Sequence, residues 1–229
     1  MPSKIRDSID EALADIPDGA TIMIGGFGLA GQPSELIDGL IRRAARNLTI
    51  VNNNAGNGDV GLALLIKSGF VKKIICSFPR QVDSHHFDEK YHAGEIELEV
   101  VPQGNLAERI RAAGAGIGGF FTPTGYGTML AEGKETRVID GKNYVLESPI
   151  HADFALIKAH QADPLGNLVY RKTARNFGPV MATAATTTIV QVSEVVETGG
   201  LDPESVITPG IFVQRIVQVG STNPKEQRS

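Results

Sequence analysis

Four short β-rich apolar runs, at residues 21–24, 48–51, 73–76 and 96–101, are separated by stretches long enough for one helix each. This alternation constrains the fold more than any other feature of the chain. Neighbouring parallel strands need a long crossover, and a helix is the usual one. Pro33 opens the first intervening helix, at a position whose N–H would lack a helical partner anyway. Residues 60–67, 87–92 and 105–113 carry the other helical patterns. Ahead of them, Ile5, Ile9, Leu13 and Ile16 recur at helical spacing until Pro17-Asp18-Gly19 stops the run.

The second half has a different rhythm. Asp140-Gly141 between two β-rich runs spells a hairpin. Further strands are expected at 154–158, 168–170, 187–192 and 212–219. No linker cuts the chain and no segment repeats. The expected architecture is α/β: a single domain over residues 1–220, with a largely parallel or mixed β-sheet flanked by helices. Residues 221–229 offer no apolar anchor and are expected to form a disordered tail.

Charge and composition narrow the function classes. A formal net charge of −4 provides no basic field for nucleic acid. No apolar run approaches the ~18 residues that a membrane span needs. The single cysteine, Cys76, permits no intrachain disulfide and suits a reducing compartment. The first residues carry charges where a secretory signal needs an apolar core, so a cytoplasmic location is expected.

The first strand runs straight into Gly25-Gly26-Phe27-Gly28-Leu29-Ala30-Gly31, in which Gly26, Gly28 and Gly31 match G-x-G-x-x-G. A dinucleotide site also needs a helix starting at the third glycine and an acidic residue at the end of the next strand. Gln32-Pro33 delays the helix, and the next strand ends in Asn52-Asn53-Asn54. Both supporting features fail. What remains is a backbone that another molecule or subunit can approach closely, or a tight turn and nothing more.

The wider context is more specific. Asp18-Gly19-x-x-Ile22-Met23-Ile24-Gly25-Gly26-Phe27-x-x-x-Gly31-x-Pro33 resembles the signature of the A subunits of the 3-oxoacid CoA-transferases. The similarity continues through Asn53-Asn54-Ala55-Gly56, through Pro102-Gln103-Gly104-Asn105 to Arg111, through Thr122-Pro123-Thr124-Gly125-Tyr126-Gly127-Thr128, and through Arg171-Lys172-x-Ala174-Arg175-Asn176-Phe177. The resemblance implies transfer of CoA from succinyl-CoA to a 3-oxoacid through a glutamyl-CoA thioester. It places the nucleophilic glutamate in a Ser-Glu-Asn-Gly sequence on a separate polypeptide, the B subunit. No Glu-Asn-Gly occurs in this chain. The expectation is therefore half an active site, within an A2B2 heterotetramer, with coenzyme A as substrate and no separate cofactor.

On that resemblance, Gly25, Gly26, Phe27, Gly28, Leu29, Ala30 and Gly31 form the CoA-binding loop. Gln103 lies beside the reacting groups, and Asn53 supports it from the carboxyl end of a strand, where an amide can orient a carboxylate without taking its proton. Residues 125–127 and 171–177 line either the site or the subunit interface. Ser77-Phe78-Pro79-Arg80-Gln81 is similar to the 3-oxoadipate branch rather than the acetoacetate-using members, and Arg80 is the candidate partner of a dicarboxylate's second carboxyl. No metal site is expected: His85, Glu89 and His92 share a helical face, but a solvated polar face accounts for them. Acetoacetate as acceptor and a non-catalytic metabolite sensor on the same superfold are the alternatives. A dinucleotide-binding module is a weaker one.

Overall fold

The computed structural model describes residues 3–220. The tail expected to be disordered lies outside the described residues. Seven of the eight strands of the main sheet form one continuous path: β1 (Thr21–Ile24), β2 (Leu48–Val51), β3 (Val71–Cys76), β4 (Glu97–Val100), β8 (Ala152–Ala162), β10 (Ala185–Val195) and β11 (Arg215–Gln218). Their spatial order is β11-β10-β8-β1-β2-β3-β4. Every pairing along this path is parallel. The short β9 (Leu168–Val169) pairs antiparallel with β8, which makes the sheet mixed.

Alternation along the strands separates two cores. Ile22 and Ile24 face one cluster and Met23 the other, as a period of two requires. The first cluster holds Leu13, Leu36, Ile37, Leu65 and Phe87, from α1 (Ile9–Leu13), α2 (Ser34–Arg43), α3 (Leu62–Lys67) and α4 (His85–His92). The second holds Leu106 and Ile110 from α5 (Gln103–Gly114) and Met181 from α6 (Gly178–Ala184). The helices that follow β1, β2 and β3 thus lie on one face. After β4 the chain crosses to β8, on the far side of β1, and α5 packs on the opposite face.

A separate antiparallel sheet comprises β5 (Phe120–Thr122), β6 (Thr136–Ile139) and β7 (Lys142–Glu147), with β7 in the middle. Its hairpin turns at Asp140 (φ 48°) and Gly141 (φ 74°), the left-handed pair that an Asp-Gly turn supplies. Glu147, 2% exposed, accepts from Asn105 Nδ2 (3.2 Å) and Lys134 Nζ (2.9 Å). That buried carboxylate ties the small sheet to the first turn of α5.

Several expectations change. Ile5 is not helical but bridges Ile216, so the first helix spans only Ile9–Leu13, capped by Ser8 Oγ on Glu11 N–H. The last strand is shorter than expected because residues 210–212 turn as a 3₁₀ helix. β8 and β10, at eleven residues each, are longer. No helix among the described residues is long and apolar enough to cross a membrane. Cys76 is buried, and desolvation pushes its thiol up to about 12, which leaves it a small inert core residue.

Candidate functional site

The strands β1 to β4 point the same way, so the loops that leave them gather along one edge. Where the chain leaves β1 for β2 on one side and returns to β8 on the other, the sheet has its switch point. Ligands of open α/β sheets bind in that crevice.

The glycine loop stands there. Gly25 N–H bonds Leu156 O on β8 (2.9 Å), and Phe27 and Ala30 exchange backbone bonds of 3.0 and 3.2 Å across the tip. Asn176 clamps the loop from the other side. Its Oδ1 accepts from Gly26 N–H (3.2 Å) and its Nδ2 donates to Ala30 O (2.9 Å). A Cβ on Gly31 (φ 73°) would lie 2.3 Å from Ala174 O, so that position has no room for a side chain. Gly28 (φ 59°) differs, because a Cβ there meets nothing within 4 Å. Gly25, Gly26 and Gly31 are buried, whereas Phe27, Leu29 and Ala30 are exposed. The N–H groups of Gly25, Gly26, Phe27 and Ala30 are used within the chain, which leaves the Gly28-Leu29 tip as the part that faces outward.

Between this loop and residues 172–176 lies a cavity of about 690 Å³, lined by Phe27, Ala30, Lys172, Thr173, Arg175 and Asn176. Lys172 and Arg175 are exposed and bring two cations to its rim. Lys172 has φ 51°, a left-handed conformation uncommon for a residue with a side chain.

The three asparagines after β2 have three separate jobs. Asn52 donates Nδ2 to Ile24 O (2.6 Å) and locks β2 to β1 beyond their ladder. Asn54 Oδ1 accepts from Gly56 N–H (2.8 Å) and shapes the turn. Asn53, 2% exposed, is bonded to side chains of two other segments. Its Oδ1 accepts from Gln103 Nε2 (2.7 Å) and from Ser77 Oγ (2.9 Å). With Oδ1 occupied twice, Nδ2 is the atom left to donate. Gln103 is the first residue of α5 and is exposed, at a helix end where N–H groups and the dipole favour negative charge.

Three side-chain polar atoms are buried without a hydrogen-bond partner among the described residues: Glu147 Oε2 beneath the small sheet, and Gln32 Oε1 and Asn54 Nδ2. The last two sit on the loops after β1 and β2. Leaving each unmet costs about 1–3 kcal/mol, a penalty more readily kept at a working site than elsewhere.

Asn53 and Gln103 are therefore brought into direct contact, and the glycine loop is adjacent to them through β1 and β2. Arg80 is placed differently. Its Nε donates to Asp88 Oδ1 (2.7 Å) on α4, and its Nη2 lies 3.4 Å from His92 Nε2. The side chain is 56% exposed. Ser77 and Asn176 lie in stretches that the sequence points to, but sequence reasoning assigns neither of them a role of its own. Ser77 has one available signal, its place directly after a strand on the same edge as Asn53.

Residues 6–219 match the model of the coenzyme A transferase family. The chain is 70% identical over 219 residues to the A subunit of the 3-oxoadipate CoA-transferase of Pseudomonas putida, covering 96% of this chain and 95% of that protein. It is 52% identical over 202 residues to the A subunit of the succinyl-CoA:3-ketoacid coenzyme A transferase of Xanthomonas campestris, covering 88% and 83%. Among solved structures, an acyl-CoA transferase of Escherichia coli O157:H7, crystallised as a thioester complex with CoA, superposes with a TM-score of 0.83 at 25% identity. That likeness covers 97% of this chain and 48% of the other, so the chain spans about half of that protein.

Proposed function

The chain belongs to the coenzyme A transferase family, and from that premise we propose that it is the A subunit of a 3-oxoadipate CoA-transferase working in the cytoplasm with succinyl-CoA as donor. One observation supports this acceptor above others. Identity falls from 70% with the 3-oxoadipate enzyme's chain to 52% with the 3-ketoacid enzyme's. The partner is the B subunit of the same enzyme, the assembly an A2B2 heterotetramer, and coenzyme A is a substrate rather than a resident cofactor.

In this reading a glutamate of the B subunit attacks the thioester carbonyl, and the C–S bond breaks as CoA leaves as its thiolate. The thiolate then attacks the glutamyl carbonyl of the resulting anhydride, the C–O bond to the donor acid breaks, and succinate departs. Negative charge develops twice on carbonyl oxygen and rests at last on a carboxylate. This chain's share is to stabilise that charge and hold the reactants. Asn53 offers Nδ2 with its orientation fixed by Ser77 and Gln103, and the first turn of α5 adds its dipole. No carboxylate belongs to this trio, so nothing in it repels the charge. The Gly28-Leu29 tip receives the thioester arm, and Lys172 and Arg175 suit its phosphates.

The two glycines at the loop's tip and base separate binding from folding. Gly31→Val drives a side chain into Ala174 O and should unfold the loop or the protein. Gly28→Val meets open space in this chain and costs only the left-handed penalty, about 1–2 kcal/mol. It should nevertheless raise KM for succinyl-CoA severalfold or more. Thermal melting and initial rates on both variants check this, and an unchanged KM for Gly28→Val removes the tip from the CoA site.

Acceptor choice tests the finer reading. If Arg80 binds the second carboxylate, Arg80→Ala should lower kcat/KM for 3-oxoadipate and spare acetoacetate. Asp88 competes for the guanidinium and the side chain is half exposed, so the loss belongs at the low end for a charge-assisted contact, roughly tenfold or about 1.4 kcal/mol. Succinate is also dicarboxylic, so the donor half-reaction is measured separately by exchange. Equal losses for both acceptors would assign Arg80 to anchoring α4. A wild-type enzyme preferring acetoacetate would overturn 3-oxoadipate as the acceptor.

A further inference from the structure

The helical face His85-Glu89-His92 does not converge on a point. His92 turns to Arg80 on one side and places Nδ1 2.7 Å from Asp88 O on the other. A different set does converge. His85 and His86, the first two residues of α4, meet Asp59 from the loop between β2 and α3, with one ligand atom of each within 4.8 Å of the others. His86 Nε2 lies 2.6 Å and His85 Nε2 3.9 Å from Asp59 Oδ1.

We propose that Asp59, His85 and His86 form a zinc site, with water completing the coordination, that clips the Asn53-bearing loop to α4. Two imidazoles and a carboxylate are a borderline-soft set that zinc favours among common divalent ions. Bonds of about 2.0–2.2 Å in a tetrahedron put donor atoms about 3.3 Å apart. The 2.6 and 3.9 Å separations from Asp59 Oδ1 lie on either side of that value, and all three donors fall within 4.8 Å of one another.

The backbone beneath the donors is already fixed. Gly58 N–H bonds Asp83 O (2.9 Å), Asp83 N–H bonds Asn57 Oδ1 (3.1 Å), and Ser84 Oγ donates to Gly56 O (2.9 Å). Three bonds thus stitch the two donor-bearing loops together before any metal arrives, which reduces the ordering that binding must supply. His86 is largely buried, whereas Asp59 and His85 are exposed and give an ion access. Lys67 Nζ, 3.3 Å from Asp59 Oδ1, opposes the site and must turn away. That opposition gives the proposal a signed consequence.

The complete chain, untagged and stripped with a chelator, is titrated with zinc chloride by calorimetry and melted with and without the ion. The expected result is one zinc per chain and a higher Tm. His86→Ala and Asp59→Asn should each weaken zinc at least tenfold, and Lys67→Ala should tighten it severalfold. Cobalt should give visible bands of low-coordinate geometry that His86→Ala abolishes. Should His86→Ala fail to fold, His85→Ala at its exposed position tests the same site. Equal zinc affinity in the wild type and the histidine variants, or no change in Tm at saturating zinc, would overturn the proposal. Neither readout depends on transferase activity, so the two assignments stand or fall separately.

Discussion

Incubated alone with succinyl-CoA and 3-oxoadipate, this chain is expected to transfer no CoA, and activity is expected to appear only when its B subunit is added. The reason lies in what surrounds Asn53. Its bonded neighbours, Gln103 and Ser77, are an amide and a hydroxyl, and neither can form a glutamyl thioester. Three glutamates illustrate why this chain offers no obvious nucleophile. Glu99 is paired with Lys73 (2.7 Å) and Arg109 (3.1 Å). Desolvation raises its pKa, but these two cations more than reverse that and keep it below its usual value, so it stays an ion-pair partner. Glu147 is buried between Asn105 and Lys134. Glu132, the only glutamate followed by glycine, follows the 3₁₀ turn Met129–Ala131 near the small sheet, on an exposed loop. On the proposed reading, the carboxylate for covalent catalysis comes from the B subunit. Each purified chain and their mixture are assayed, and the mixture is examined by mass spectrometry after incubation with succinyl-CoA. A CoA adduct should appear on the B subunit alone. Turnover by this chain by itself, or an adduct on it, would end the half-site reading.

The parts of the fold legible in the sequence are those whose local pattern agrees with their tertiary role. β1 and β2 fall where the four-residue β-rich runs put them, because both faces of a central parallel strand are largely buried and threonine is the one polar residue either strand holds. Only half of β8 is legible, because His160 and Gln161 sit at its half-exposed carboxyl end. α6 is hidden for a different reason. Gly178-Pro-Val-Met-Ala-Thr-Ala184 is seven residues, too short to show a period, and its helix is set by Met181 and Ala182 packing on the second core. The site divides in the same way. Three consecutive asparagines announce an unusual strand end, but side-chain direction and the neighbouring strand decide that Asn52 is a rung, Asn54 a turn and Asn53 the amide that meets Gln103. Asn176 cannot be found from spacing at all, since its bonds to Gly26 and Ala30 join residues 150 and 146 positions apart.

Replacing Gln103 with alanine should lower kcat by roughly ten- to a thousandfold, about 1.4–4 kcal/mol, while the complex keeps its subunit association. Stability should barely move, by no more than about 0.5 kcal/mol, because Gln103 is an exposed first residue of α5 and buries little. The loss can arise in two ways. Gln103 Nε2 holds Asn53 Oδ1 at 2.7 Å, so the variant removes one amide and loosens a second, leaving Ser77 as the remaining side-chain partner of Asn53. A double-mutant cycle separates the two. If Gln103 acts only by orienting Asn53, then Asn53→Ala should cost as much as the pair, and adding Gln103→Ala to it should cost nothing more. If Gln103 also meets the reacting groups, the double variant should be slower than either single one. Gln103→Glu sharpens the distinction, because a carboxylate there can no longer donate to Asn53 Oδ1 and places negative charge where negative charge develops, so it should be at least as damaging as alanine. A near-wild-type kcat for Gln103→Ala would remove it from the site and leave Asn53 and Ser77 to carry this chain's share of the chemistry.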